Sequence, residues 1–251
     1  LSCPNASGTF TFSGATWNSP TTLTTNSGTV QFDRVGAKAT MLGNDSTQFN
    51  AVTVAADTIL NTSAASNYAL TWAGACSVSG TITPNTSVVT GNGAVTVNAG
   101  GTLGGNTAYT LNMESTLSGA GTLSSPTADG AYTWAGATWA IGTYTNNGVT
   151  LVVDGGAAQA LTGTGHTFAF IRVSNKSAIV TLTGPTISGV SGAAWNQQQL
   201  QIANGATVQG SSATFTTVGH QGTSGWLVSI THGGVATDRR YWGVMNTSAA
   251  D

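Results

Sequence analysis

A short phrase recurs along this chain and restricts its possible folds more than any other feature. It joins an aromatic residue or Val to a Gly-Ala pair or a close variant, at residues 12–17, 72–77, 134–139 and 190–195. Repetition at a nearly fixed period is typical of a solenoid or another repeat array. The phrase predicts one domain, 1–251, made of four units at approximately 9–66, 67–128, 129–186 and 187–251.

The stretches between these phrases have the pattern of short β-strands. Alternating or β-branched runs, among them 9–12, 51–54, 81–83 and 110–113, are separated by turn residues such as Asn147-Gly148. Long side chains that favour helices are scarce throughout the chain. The sequence therefore predicts an all-β fold.

Two all-β architectures accommodate a unit of this size. The unit is either three coils of a β-solenoid or one blade of a four-bladed, propeller-like array. Segments 95–103 and 116–123 place only small residues between two strands, which leaves no room for long hairpin loops. Corners made of Gly, Ala and Asn allow coils to stack at the spacing of β-strands. We favour a single-domain β-solenoid of about twelve coils, a rod about 58 Å long.

The glycines of the recurrent phrase are expected at equivalent tight corners or close backbone contacts. These repeat-corner residues are Gly14, Gly74, Gly136 and Gly192. Most of the seven Trp residues fall in or beside the phrase. Their regular placement favours a stacked aromatic core over a row of sugar-binding side chains. Trp242 lies off the repeat, beside Arg239 and Arg240, and these three residues are predicted to form an interface.

Charged residues are unusually rare. They make up 6% of the chain, against about 25% in ordinary soluble domains, and the net charge is −2. This composition lacks the basic patch that nucleic-acid binding requires, so no nucleic-acid partner is predicted. The sequence has no run of roughly 18 apolar residues, so no membrane span is predicted. Because the chain begins at Leu1, we expect a secreted or cell-surface protein in its mature form after signal removal.

The repeats resemble those of bacterial autotransporter passenger domains and related β-helical surface adhesins. Segments 71–74, 94–103 and 116–123 carry the likeness, which extends over most of the chain. The resemblance implies an elongated, extracellular and non-enzymatic surface protein. The C-terminal membrane barrel of autotransporters has no counterpart in 238–245, so we expect a released passenger or a standalone subunit.

The two cysteines, Cys3 and Cys76, are predicted to form a disulfide, either within one chain or between chains. An exported protein meets an oxidising environment in which thiols pair. The alternative is two buried free thiols that behave as small apolar side chains.

No group of residues predicts catalysis or metal binding, and no cofactor is expected. The acidic residues are scattered, and the best local pairs, Asp33-Arg34 and 238–240, are more typical of solvated ion pairs. The three histidines lie on well-separated segments, at His166, His220 and His232. A CxxC motif or a Cys/His cluster of the kind that binds zinc does not occur.

Ice binding is a further possibility to weigh, because threonine ladders on flat solenoids can order water. Thr-x-Thr occurs seven times, whereas 44 Thr in 251 residues give about eight by chance. The count therefore does not predict a threonine ladder.

The favoured function is that of an extracellular structural protein that assembles with copies of itself into a filament or array. No capping helix is evident at either end, and exposed strand edges favour stacking of further copies. The alternative is an adhesin that binds surface or host glycans, and a carbohydrate-active β-helix enzyme is the third possibility.

Overall fold

The computed structural model is a stack of parallel β-strands wound around one apolar core. It describes residues 2–5, 8–18, 23–34, 36, 38–44, 47–62, 68–189, 192, 197–203, 205–214, 218–220, 231–232 and 244–245. Within these residues, no α-helix occurs. Accordingly, this part of the chain has no helical segment of the length and apolarity needed to cross a membrane.

The strands are short and follow one another along the chain with few intervening residues. The first half contains β1 (Thr9–Phe12), β2 (Thr16–Asn18), β3 (Thr29–Phe32), β4 (Lys38–Asn44), β5 (Thr47–Phe49), β6 (Ala51–Val54), β7 (Thr58–Asn61), β8 (Leu70–Trp72), β9 (Cys76–Val78), β10 (Thr81–Thr83), β11 (Val88–Gly91), β12 (Val95–Val97), β13 (Thr102–Gly104) and β14 (Thr110–Met113). The second half contains β15 (Leu117–Thr127), β16 (Ala131–Trp134), β17 (Thr138–Asn147), β18 (Thr150–Val153), β19 (Gln159–Thr162), β20 (Thr167–Phe168), β21 (Phe170–Val173), β22 (Ile179–Thr183), β23 (Thr186–Ile187), β24 (Leu200–Ile202), β25 (Thr207–Ser211), β26 (Val218–His220), β27 (Thr231–His232) and β28 (Val244–Met245).

These strands form three faces of a solenoid. Face A consists of β1, β3, β6, β9, β12, the first parts of β15 and β17, and then β19, β22, β25 and β27. Face B consists of β2, β4, β7, β10, β13 and the second parts of β15 and β17, and it continues with β20 and β23. Face C consists of β5, β8, β11, β14, β16, β18, β21, β24, β26 and β28. Eight turns, from β3 to β24, carry a strand on all three faces.

One turn of the solenoid is the unit that repeats. Partners on face A come from consecutive turns, and the turn that joins Cys76 to Val95 is shorter than the one that joins Leu182 to Gly210. Every pair of strands in the described part of the chain is parallel, which excludes the propeller-like alternative because the strands of a propeller blade are antiparallel neighbours. The predicted β-solenoid is confirmed, and strands 9–12, 51–54, 81–83 and 110–113 have the predicted bounds. The division into four longer units stays a prediction.

The core is built from columns of inward side chains that repeat on each turn. On face A one column runs through Val52, Cys76, Val95, Leu117 and Trp139, all at most 2% exposed. Alternation along each strand sends every second side chain to the interior. Each fully buried side chain of this size contributes about 1.5–3 kcal/mol to folding. The stacked columns therefore supply most of the stability of the solenoid.

Aromatic side chains form two clusters in this core. Near the N-terminal end, Trp17 packs edge-to-face against Phe12, Phe32 and Phe49, with ring centroids 5.1 to 5.7 Å apart. In the middle of the stack, Trp139 lies 5.5 Å from both His166 and Phe168. Trp72 and Trp134 are also fully buried. The predicted core role of the repeated Trp residues is confirmed for the four that the structure describes, Trp17, Trp72, Trp134 and Trp139.

Glycine is required where the corners of adjacent turns touch. A Cβ atom added to Gly101 would lie 2.2 Å from the carbonyl oxygen of Val78, one turn below. A Cβ atom added to Gly136 would lie 1.9 Å from the carbonyl oxygen of Ser115. Only a residue without a side chain fits at such points, because the turns are stacked at the spacing of hydrogen-bonded strands.

Candidate binding face

Face A presents two columns of small, uncharged side chains to solvent. On each strand the residues on either side of the inward residue point outward. We define the threonine grid as these nineteen residues on ten successive turns. The first column is Thr9, Thr29, Ala51, Ala75, Ala94, Thr116, Thr138, Ala160, Thr181 and Gln209. The second is Thr11, Gln31, Thr53, Ser77, Thr96, Ser118, Ala140, Thr162 and Thr183.

Ten of the nineteen grid residues are Thr, and the others are Ala, Ser or Gln. The sequence favours this arrangement locally because β-branched Thr suits an exposed strand position while Val or Leu fills the inward one. None of the nineteen residues is charged, aromatic or a large aliphatic residue. Charged residues within the described part of the chain instead occupy corners, such as Asp57, Glu114 and Lys176, or other faces, such as Arg172.

The hydroxyl groups of the grid are available to a ligand. In the described part of the chain, no protein group hydrogen-bonds to the hydroxyls of Thr96, Thr138 and Thr162, and all three residues are exposed. Ser77 is different, because its Oγ accepts a hydrogen bond of 3.0 Å from Asn98 Nδ2. Backbone groups of face A are satisfied by the parallel ladder, so the face offers side-chain hydroxyls and methyl groups rather than backbone polar groups.

The grid is regular in two directions. Neighbouring turns are about 4.7–4.9 Å apart, and the two columns are separated by two residues of extended chain, about 6.7 Å. The face A pairings proceed from strand to strand without a bulge inside the face. Ten turns at this spacing extend over about 43 Å. Face A is therefore a long, narrow array of uncharged side chains at regularly spaced positions.

Faces B and C do not present an array of this length. Face B carries a column of Thr81, Thr102, Thr122 and Thr143, but the column is preceded by Ile59. Face C is interrupted by larger or charged groups, including Val88, which is 41% exposed, and the half-buried Phe170 and Arg172. Among the described residues, the nineteen positions of the threonine grid combine length with the absence of charge, and the exposed apolar residue of face A, Ile179 in β22, lies beside the grid and is 47% exposed.

Cys3 and Cys76 are both free and buried, so the prediction of a disulfide within one chain is wrong. A disulfide between chains stays a prediction. Cys3 lies beside Thr24, in the chain that precedes β1 and β3, whereas Cys76 lies in β9. Between β1 and β9, face A rises by three strand spacings, about 14 Å. A disulfide requires Cα atoms within about 7 Å, so the two cannot pair within one chain. Burial raises the pKa of both thiols, so both correspond to the alternative of buried free thiols.

The four phrase glycines do not share one corner of the solenoid. Gly74 and Gly136 both precede a strand of face A and are three turns apart. Gly14 lies between β1 and β2, and Gly192 lies between β23 and β24. A Cβ atom added to Gly74 would lie 3.1 Å from the carbonyl oxygen of Asn50, whereas Gly14 and Gly192 face side chains. The close backbone contact is thus strongest at Gly136.

The predicted interface residues Trp242, Arg239 and Arg240 lie outside the described residues, as does Asp238. Asp33 accepts a hydrogen bond of 3.2 Å from Gln31 Nε2, and the backbone N–H of Arg34 donates to Thr58 Oγ1 at 2.8 Å.

The histidines lie on three different faces, with His166 before β20, His220 in β26 and His232 in β27. Among the residues that the structure describes, no three His, Cys, Asp or Glu side chains are grouped to hold a metal.

The sequence did not predict that two carboxylates, those of Glu114 and Asp154, interact. Glu114 and Asp154 both lie at the corner between faces C and A. Burial raises the pKa of Asp154, and the charge of Glu114 raises it further. The two residues are far apart in the chain, so only the stacking of turns reveals that they interact. Both are exposed, on a corner rather than in a cleft, so the carbohydrate-active enzyme stays the weakest of the three predictions.

The threonine grid was not predicted from the sequence either. The length of one turn, however, can be read from regularly spaced Gly-Thr pairs. Gly80, Gly101, Gly121 and Gly142 recur at a nearly constant interval, and each is followed by Thr. This period gives the length of one turn, from which the columns of face A follow. Comparison with protein families, with curated proteins and with solved structures gives no match to this chain.

Proposed function

We propose that this chain is a non-enzymatic, extracellular solenoid that binds an extended, regularly repeating solid through face A. The observation that carries the proposal is the threonine grid, a charge-free array of small side chains on ten turns. Small-molecule sites and active sites are usually concave, with a few convergent polar groups. Face A has the opposite character, since it repeats one kind of contact many times along the rod.

The energetics of such a grid suit a repeating partner. A single hydroxyl contact contributes only about 0.5–1.5 kcal/mol in water. Contacts on a rigid scaffold add up, because once one turn is bound the next is already positioned over its site. Thr has few rotatable bonds and loses little side-chain entropy on binding. A solid with a matching period can therefore bind tightly through many weak contacts.

The composition supports an extracellular setting. Charged residues form only 6% of the chain, and Ser, Thr, Asn and Gly provide the polar surface. The resemblance to β-helical surface adhesins supports the same localisation and a binding rather than a catalytic role. A surface glycan in crystalline form belongs to the class of solids that this proposal covers.

Adsorption measurements on two pairs of variants test the proposal. Thr96→Lys and Thr138→Lys place a long charged side chain on face A, whereas Thr110→Lys and Thr133→Lys place the same side chain on face C. The protein is incubated with polycrystalline ice, crystalline cellulose, chitin and calcium carbonate, and the bound fraction is measured. We expect binding to at least one solid that the face A variants lose and the face C variants keep. Equal loss in both pairs, or binding to none of the solids, contradicts the proposal.

Self-assembly is the second candidate, and one observation favours it. Among the described strands, β1 pairs only with β3 and β2 pairs only with β4, so each has one edge without a partner strand. Phe10 and Phe12 of β1 are only partly buried. A free parallel edge can accept the opposite end of another copy, which generates a filament. Sedimentation over a concentration series tests this, and a monomer at every concentration contradicts it.

A further inference from the structure

We infer that the solid bound by the threonine grid is ice, an inference that rests on the proposed function and specifies its ligand. Each turn of face A would place its hydroxyl and methyl groups against one row of water molecules in the crystal. The spacing of the grid, the chemistry of its side chains and the groups that the grid lacks all favour ice.

The spacing of the turns is close to a repeat distance of tetrahedral water. Hydrogen-bonded oxygens are about 2.75 Å apart, so two neighbours of one tetrahedral water molecule are about 4.5 Å apart. Adjacent turns of face A are about 4.7–4.9 Å apart. Equivalent groups such as the outward side chains of Ser77, Thr96 and Ser118 repeat at this distance. The two distances differ by about 0.2–0.4 Å per turn, so a row of bound water molecules can follow the rod in register over about two or three turns at a time.

The side chains of the grid can join a water lattice without disturbing it. A Thr hydroxyl offers one donor and two acceptor positions, as a water molecule also can. The hydroxyls of Thr96, Thr138 and Thr162 are exposed and have no protein partner in the described part of the chain. The neighbouring methyl groups of Thr and Ala are apolar, and water next to them keeps hydrogen bonds to other water molecules. Face A thus alternates groups that bond to the lattice with groups that leave it intact.

The groups that the grid lacks argue against other solids. Binding to the faces of sugar rings uses aromatic side chains, and none of the nineteen grid residues is aromatic. Calcium minerals are bound by carboxylates, and no grid residue is acidic. A charged side chain would also hold its own hydration shell, which does not match a neutral lattice. The absence of charge from the grid residues is therefore expected for ice and is not required for the alternatives.

The test uses freezing behaviour as well as adsorption. Thermal hysteresis and crystal shape are measured for the full chain in a nanolitre osmometer, and the amount of protein incorporated into a growing polycrystalline ice shell is measured separately. We expect hysteresis, faceted crystals and enrichment in the ice. Thr96→Lys should lower incorporation by about tenfold, equivalent to about 1.4 kcal/mol, whereas Thr110→Lys on face C should leave it unchanged.

Two conservative variants separate the roles of the hydroxyl and methyl groups. Thr138→Val keeps both the shape and a methyl group, and Thr138→Ser keeps the hydroxyl group. If both groups contribute, each variant retains more incorporation into ice than Thr138→Lys. Circular dichroism and melting temperature show that each variant is folded before its activity is interpreted.

The outcomes separate this inference from the proposed function. Absence of hysteresis and of enrichment in ice overturns the inference. If the protein then binds cellulose, chitin or carbonate in a manner that Thr96→Lys abolishes, the proposed function stands with another ligand. If it binds no solid, both fall. Enrichment in ice that is equal in the wild type, Thr96→Lys and Thr110→Lys also overturns the inference, because another surface is then responsible.

Discussion

The corner glycines provide the sharpest stability test of the stacked-turn structure. We expect Gly136→Ala to destabilise the fold strongly, whereas Gly156→Ala, one turn later near the same corner, should be tolerated. A Cβ atom on residue 136 would lie 1.9 Å from the Ser115 carbonyl oxygen, whereas a Cβ atom on residue 156 has nothing within 4 Å. Neither glycine has a positive φ, so the backbone conformation itself accepts alanine at both sites.

The magnitude follows from the shift that the clash demands. The turn must move until the 1.9 Å approach becomes an ordinary contact of 3.4 Å. Such a shift breaks neighbouring ladder hydrogen bonds, including Ala135 N–H to Met113 O and Ala160 N–H to Ala137 O, both 2.8 Å. Two lost hydrogen bonds at about 1 kcal/mol each, with packing strain, amount to about 3 kcal/mol. For a chain of this size the melting temperature should fall by about 10 °C.

The assay is equilibrium unfolding of both variants and the wild type, followed by circular dichroism over a denaturant series. Gly156→Ala should lie within about 1 kcal/mol of the wild type, or above it, because alanine restricts the unfolded chain. Equal unfolding free energies for the two variants would refute the close stacking of turns at this corner.

Three further predictions follow from buried groups in the core. Burial raises the pKa of each of three core tyrosines above its ordinary value of about 10, and these are Tyr109, Tyr132 and Tyr144. The folded chain therefore keeps tyrosine protons that the unfolded chain releases, so the contribution of these tyrosines to stability is fully present below about pH 10 and is lost as the pH rises beyond it. Reversible ionisation of all the tyrosines with the near-ultraviolet circular dichroism intact would contradict this. Cys3 and Cys76 should not react with a thiol reagent until the chain unfolds, and a gel shift on reduction would contradict their free, buried state. Finally, Tyr132→Phe should cost about 1–3 kcal/mol, because Trp139 Nε1 donates to Tyr132 Oη at 2.9 Å and would lose its buried acceptor. An unchanged unfolding free energy would show that Trp139 finds another acceptor.

Local structure was predictable from sequence because it depends on neighbouring residues. The alternation in Val95-Thr96-Val97 and the turn residues Asn98 and Gly100 specify a strand and a corner without reference to the rest of the chain. The scarcity of helix formers and the small corners were enough to favour a solenoid. These features are repeated on most turns, which made the fold class accessible.

The binding face and the cysteine geometry depend on register, which local patterns do not give. Thr96 and Ser118 become neighbours only because Val95 pairs with Leu117 on the next turn. The number of residues in a turn varies along face A, so the spacing of Thr-x-Thr in the sequence is irregular. A simple count of Thr-x-Thr also adds together threonines that lie on different faces. The number of turns between Cys3 and Cys76 also could not be read from local patterns, so the two residues could still be predicted to pair. Register was recoverable in part from the spacing of the corner glycines that precede Thr.

The central claim is that one face of this solenoid binds a solid, and the turn formed by β12, β13 and β14 offers a direct test. Thr96, Thr102 and Thr110 are outward threonines on faces A, B and C of that turn, in β12, β13 and β14. Each is replaced singly by Lys, and the incorporation of the three variants into growing ice is measured beside the wild type. We predict a loss of about tenfold for Thr96→Lys alone. Equal incorporation by all three variants, or a greater loss for Thr102→Lys or Thr110→Lys, would contradict the assignment of binding to face A.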